Sequence, residues 1–143
     1  FVLEGIELAD KEEVFVLYNL PCKRLIDYED HQVESLWISV RPFRPPRSIT
    51  NILVGVVYHP PHFGADEIAF IDHLMKNADQ FLAKHPEGPI VICRDFNPPN
   101  TGHSAQVVKR NTSLWQVVTV QTTDSGTLDW VLTNKPSLFC PPV

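Results

Sequence analysis

The chain has 143 residues, 43% hydrophobic and 20% charged, a globular composition long enough for one core and no more. A formal charge of −5 and a pI near 5.6 exclude an overall positive footprint for tight non-specific nucleic-acid binding, so a DNA partner must be argued from chemistry. No run approaches the roughly 18 apolar residues of a membrane span and no charged-then-apolar leader opens the chain, while Cys22, Cys93 and Cys140 are too few and too scattered for a disulfide framework or a zinc site. The expectation is an intracellular, reducing location, neither secreted nor membrane-bound.

Proline punctuates the chain: Pro42, Pro45 and Pro46, then Pro60 and Pro61, Pro98 and Pro99, and Pro141 and Pro142 mark loops. Between them, apolar runs rich in β-branched residues at 14–17, 36–40, 52–58, 90–93, 114–120 and 128–133 predict strands. The runs 52–57 and 90–93 are apolar throughout, as in central strands covered on both faces, whereas Leu36, Ile38 and Val40 alternate with Trp37 and Ser39 and predict one solvated face. Over residues 66–84 the period changes. Ile71, Leu74, Met75, Ala78, Phe81 and Leu82 recur at three and four residues and lay one apolar stripe on a helix, with Asp66 as N-cap. His85-Pro86-Glu87-Gly88-Pro89 ends it, leaving a strand–helix–strand unit with a crossover long enough to join parallel neighbours. A second, short helix is expected at 104–110. The class is α+β, with helices packed on a sheet.

The most informative segment for chemistry is Ile90-Val91-Ile92-Cys93-Arg94-Asp95-Phe96-Asn97, a buried strand running into an acid and an amide. In extended backbone Asp95 and Asn97 share one side while Phe96 points to the other, so carboxylate and carboxamide stand together on a rigid strand end, able to deprotonate and orient a water. The plainer reading is a turn, because Asp and Asn before two prolines are turn formers. Tyr58 closes the strand before Pro60-Pro61 and its hydroxyl is placed to donate to a phosphate oxygen; as a strand-end aromatic it also reads as core or rim. Asp129 sits inside the apolar run Leu128-Asp129-Trp130-Val131-Leu132, where an unpartnered carboxylate is costly, so a cation or a histidine proton must reach it from elsewhere. Arg41, Arg44 and Arg47, interleaved with prolines, read as a phosphate contact or, more plainly, a solvated loop. His59 and His62 lack a third ligand, and they, His31, His73, His85 and His103 read as solvated.

In order, Glu34-Ser35-Leu36-Trp37, Gly55-Val56-Val57-Tyr58-His59-Pro60-Pro61, Ile90 to Asn97, and Leu128 to Asn134 resemble the middle of the endonuclease/exonuclease/phosphatase domain of non-LTR retrotransposons. The resemblance runs over nearly the whole chain, and four motifs in order are more specific than any one. It implies a four-layer αββα sandwich, two mixed β-sheets with outer helices. It also implies hydrolysis of a DNA phosphodiester with Mg²⁺ or Mn²⁺, by an endonuclease in a polyprotein that continues into a reverse transcriptase. Under the resemblance Asp95 orients or deprotonates the attacking water, Asn97 and Tyr58 bind the phosphate, and Asp129 orients the histidine of a later Ser-Asp-His motif.

The departures are as specific. Residues 1–143 are expected to form a partial domain, incomplete at both ends: the family's early Asn and metal-binding Glu have no counterpart, Glu34 belongs to a different strand, the metal ligand is unknown, and the Ser-Asp-His motif does not appear. Arg94 stands where the family carries Gly. No turnover is expected from these 143 residues alone, and the alternative reading is a non-catalytic, degenerate remnant or partner-binding domain of the same fold.

Overall fold

The computed structural model describes residues 3–7, 13–17, 20–59, 67–96, 108, 110, 112–118, 120 and 129–139; of residues 3–7, 13–17, 59, 67, 68, 94–96 and 129 it describes the backbone alone. Its strands are β1 (Leu3–Glu7), β2 (Glu13–Leu17), β3 (Cys22–Arg24), β4 (Ser35–Val40), β5 (Ile52–His59), β6 (Ile90–Phe96), β7 (Trp115–Gln116) and β8 (Asp129–Thr133), with helix α1 (Glu67–Lys84) between β5 and β6. β1 and β2 pair antiparallel as a two-stranded sheet. The other six form one mixed sheet in the order β3-β4-β5-β6-β8-β7.

The all-apolar runs occupy the centre of this sheet. β5 and β6 are parallel, joined through α1 as the length of the connection required, and every other pairing is antiparallel. The helix begins at Glu67, and Asp66, its expected N-cap, lies outside the described residues. Val108 and Arg110 are helical, but most of the second expected helix is also outside them. The run 114–120 contributes only the two residues of β7, shorter than its composition suggested.

Alternation along each strand divides the sheet into two faces. On one, Trp37, Leu53, Val57, Ile90, Ile92, Trp130 and Leu132 are buried with the α1 stripe of Phe70, Ile71, Leu74, Ala78 and Phe81. On the other, Leu36, Ile38 and Val40 are buried and Ile52, Val54 and Val56 are partly buried against them. β4 therefore departs from the expected half-solvated strand: Trp37 is wholly buried, because the helix covers the face its alternation had assigned to solvent. Gly55 explains how so large a ring fits. Trp37 and Gly55 are register partners, and the absent Cβ of Gly55 leaves the room the indole occupies.

His73 is the second correction. It is buried, not solvated, and its Nε2 lies 3.2 Å from Ser35 Oγ, 3.3 Å from Trp37 Nε1 and 3.2 Å from Asn77 Nδ2. Indole and amide nitrogens only donate, so Nε2 accepts and the ring is neutral with its proton on Nδ1. Burial holds its pKa below the ordinary histidine value, with Asp30 opposing and Lys76 adding to the shift. A polar knot thus ties α1 to the start of β4, and Asn77 extends it by donating to the Tyr28 carbonyl at 2.7 Å. His85 is likewise engaged, with Nδ1 3.0 Å from Thr50 Oγ1 and its ring against Phe81, whereas His31 is exposed.

Candidate active site

Three of the four candidate residues meet in the backbone register. Tyr58 of β5 is the partner of Asp95 in β6, and Asp95 is the partner of Asp129 in β8, so their Cα positions form one row across three adjacent strands. The row is a consequence of strand direction. A parallel pair carries Tyr58 and Asp95 to the same end, and the antiparallel β8 begins at that end with Asp129. Asn97, one residue beyond the end of β6, lies outside the described residues, as do His62 and His103.

The row has a fourth position that the sequence pattern alone did not favour. The register Ser35↔Val57 carries on by one pair to Glu34 and Tyr58, and the Tyr58 N–H donates to the Glu34 carbonyl at 2.9 Å. Glu34 is exposed and Tyr58 half-buried. Glu34 belongs to a different strand from the family's metal-binding Glu and is not its counterpart; the antiparallel pairing makes it Tyr58's neighbour. The signal was available in principle, since a strand of the length of 36–40 running back along 52–58 puts its first residues beside the last of its partner.

In backbone alternation the row continues another, two residues away along each strand: Leu36, Val56, Cys93 and Val131. Its parity is that of the sheet face opposite α1. Cys93 is a free thiol, its pKa raised by burial, which keeps it protonated and an apolar element of that face. Cys22 is also free.

Arg94 belongs to the other parity. It lies in regular ladder between Val57 and Trp130, both buried, so the Arg in place of Gly introduces no irregular backbone at that point. Asn134, which ends the fourth motif, serves the architecture. Its Oδ1 accepts the Ile90 N–H at 2.8 Å and its Nδ2 donates to the Gly88 carbonyl at 3.1 Å, clipping the end of β8 to the start of β6. Arg41, Arg44 and Arg47 are exposed, at the opposite end of the sheet from the row. Among the described residues no group of three or more His, Cys, Asp or Glu converges as a metal site, and no helix is long and apolar enough to cross a membrane.

No family model matches the sequence, and no curated protein sequence matches it. The structure is similar to that of the human Nocturnin catalytic domain with bound sulfate anion, with a TM-score of 0.60 and 16% identity over 85% of this chain and 51% of that one. The chain thus spans about half the length of that structure. At such identity the likeness concerns the fold alone: the chain has an α+β fold like that domain's, the class the ordered motifs implied.

Proposed function

We propose that the chain is the central part of a metal-dependent phosphodiesterase domain that nicks DNA, as the endonuclease of a retrotransposon-like element linked to a reverse transcriptase. The observation that carries this reading is the row of Glu34, Tyr58, Asp95 and Asp129 across four neighbouring strands, at one end of a sheet whose fold is shared with a catalytic domain that holds a sulfate, a tetrahedral oxyanion like phosphate. Acids and a phenol in one rigid row are what phosphoryl hydrolysis asks of a protein, namely a base for water and donors for the developing charge.

In this mechanism Asp95 takes the proton of the attacking water, and Asn97 holds that water and a phosphate oxygen. The Tyr58 hydroxyl donates to another phosphate oxygen, and Asp129 orients a histidine supplied from outside the row. The row supplies oxygen donors and neither Cys nor His, which suits a hard divalent cation. Glu34, exposed at the end of the row and in no ion pair among the described residues, would give such a cation one ligand, the others lying outside the described residues. Mg²⁺ or Mn²⁺ bound there would polarise a phosphoryl oxygen.

The second reading, a non-catalytic relative, draws on Arg94, which stands in the ladder between Val57 and Trp130 where the resemblance implies Gly. One experiment separates them. A complete domain containing this segment, supplied with Mg²⁺ and supercoiled plasmid, is expected to produce nicked circles. Asp95→Ala is expected to lower the rate by at least about 10²–10⁴-fold, the range of a lost general base. Undiminished nicking by Asp95→Ala would refute the assignment, and a folded wild-type domain with no activity would favour the second reading.

A further inference from the structure

The end of the sheet opposite the acidic row is as basic as the row is acidic. β3 pairs with the last residues of β4, placing Lys23 opposite Ser39 and Arg24 opposite Ile38. The loop 41–51, with Arg41, Arg44 and Arg47, leaves β4 at that end, where the Arg41 N–H donates to the Pro21 carbonyl at 2.8 Å. It rejoins the body through Thr50, bonded to His85 just past the C-terminus of α1. A cleft of about 440 Å³ opens there, lined by Lys23, Arg24, Tyr28, Phe81, Lys84 and His85, among others.

Two of the cations at this end are engaged. Arg24 grips Glu29 through Nε and a terminal nitrogen at 2.8 and 3.0 Å, which raises its pKa, and Lys135 reaches Glu87 at 2.9 Å. Lys23, Lys84, Arg41, Arg44 and Arg47 form no ion pair among the described residues, and Asp27 is the one acid lining the cleft. At the end of α1 the His85 N–H donates to the Phe81 carbonyl and the Gly88 N–H to the His85 carbonyl, which closes the last turn beside the cleft. In a chain of net charge −5 this local excess is a marked polarity along the sheet. Phe43 adds a second, independent feature. It is 64% exposed between Arg41 and Arg44, an aromatic that is held out of the core beside guanidinium groups.

We propose that this end is a binding surface for a single nucleic-acid strand, separate from the acidic row. Phosphates lie on Lys23 and Lys84 in the cleft and on the arginines of the loop, and a base stacks on Phe43. A single strand fits better than a duplex because its unpaired bases expose the π-faces that an aromatic platform takes. The surface does not depend on the catalytic reading, since it uses none of the residues of the row.

The test is fluorescence anisotropy with a labelled 20-mer of thymidylate in EDTA, so that neither metal nor cleavage enters and failure of the nuclease reading leaves the result intact. Phe43→Ala is expected to weaken binding roughly 5- to 100-fold, the range for one lost base stack. Lys23→Gln with Lys84→Gln is expected to weaken it as well and to lower the slope of log K against log salt by about 1.4, the loss of two phosphate contacts on a single strand. Circular dichroism of each variant checks that it is folded, and the exposed Phe43 and Lys84 leave the core untouched. Competition by inorganic phosphate, with Phe43→Ala silent, would replace the strand by a free phosphate ion and overturn the proposal. Wild-type affinity and salt slope in both variants, or equal affinity of the wild type for a 20-base-pair duplex, would overturn it too.

Discussion

Gly55→Ala is expected to destabilise the protein, against the usual sign of that exchange in a strand. Removing a glycine from a strand interior ordinarily helps by about 0.5–1 kcal/mol, because the unfolded chain loses freedom. Here the new methyl would meet the Trp37 ring at 2.6 Å from Cζ3, 2.8 Å from Cε3 and 2.9 Å from Cη2, well inside contact distance. The indole has little room to swing away: it is wholly buried, its Nε1 is bonded to His73, and Tyr28 and His73 flank it at centroid distances of 6.4 and 5.8 Å. Overpacking costs about 1–3 kcal/mol, and the confined indole puts it in the upper half of that range, so the net loss is about 1–2.5 kcal/mol, a fall in melting midpoint of roughly 3–10 °C for a chain of this size. Urea titration of Gly55→Ala, Trp37→Phe and the double variant measures it. Trp37→Phe alone is destabilising, since it leaves a void and removes one of the three donors to His73 Nε2, but the double variant should lose at least about 0.5 kcal/mol less than the sum of the two. A neutral or stabilising Gly55→Ala with additive singles would refute the packing argument.

Two further perturbations test the polar ties of the same core. His73 is held neutral, so its folded pKa lies below the unfolded value of about 6.5. Between those two values the unfolded chain binds the extra proton, and its share of the stability is therefore full above about pH 6.5 and falls as pH drops toward the folded pKa. Urea midpoints at pH 7.5 and 5.5 should show that decline in the wild type and a flatter profile in His73→Gln, which cannot titrate; equal slopes would contradict it. Asn134→Ala strips the acceptor from the buried Ile90 N–H and should cost about 1–3 kcal/mol, with early hydrogen exchange at the start of β6 as its local signature. Unchanged exchange at Ile90 would show that the clip is dispensable.

The parts of the fold that were legible in the sequence are those where one physical rule acts alone. The α1 stripe is read from spacing because a helix buries a single face, and β5 and β6 from unbroken apolarity because central parallel strands are covered twice. Where rules compete, the reading slips. Trp37 alternates with apolar neighbours and so looked solvent-facing, but the space above Gly55 made it the most buried ring of the helix face. His73 stands between Asp72 and Leu74 with nothing local to mark it as a core residue, and its donors Ser35 and Trp37 come from 38 and 36 residues away, a pairing that no local window contains. β3 has only three exposed residues and is a strand by virtue of β4 beside it, not of its own composition.

The same distinction governs the site. Asp95 and Tyr58 were visible as polar residues at the ends of apolar runs and Asp129 as an acid inside one, but their common row, and the place of Glu34 beside it, follow only from strand directions and register. Read across the sheet, Leu36, Val56, Cys93 and Val131 form an apolar row, and two residues further along each strand stand Glu34, Tyr58, Asp95 and Asp129. The change from apolar to ionisable occurs at one end of all four strands, although β4 and β8 run opposite to β5 and β6. No local propensity produces that coincidence, because in two strands the polar residue comes first and in two it comes last. A turn-forming role explains Asp95 by itself, and a rim role explains Tyr58 by itself, but neither explains why four independent segments change character on a single line. Glu34 is exposed and Tyr58 half-buried, so this end of the sheet meets solvent, and the proposed site rests on the common line of the four residues and not on a cost of burying them.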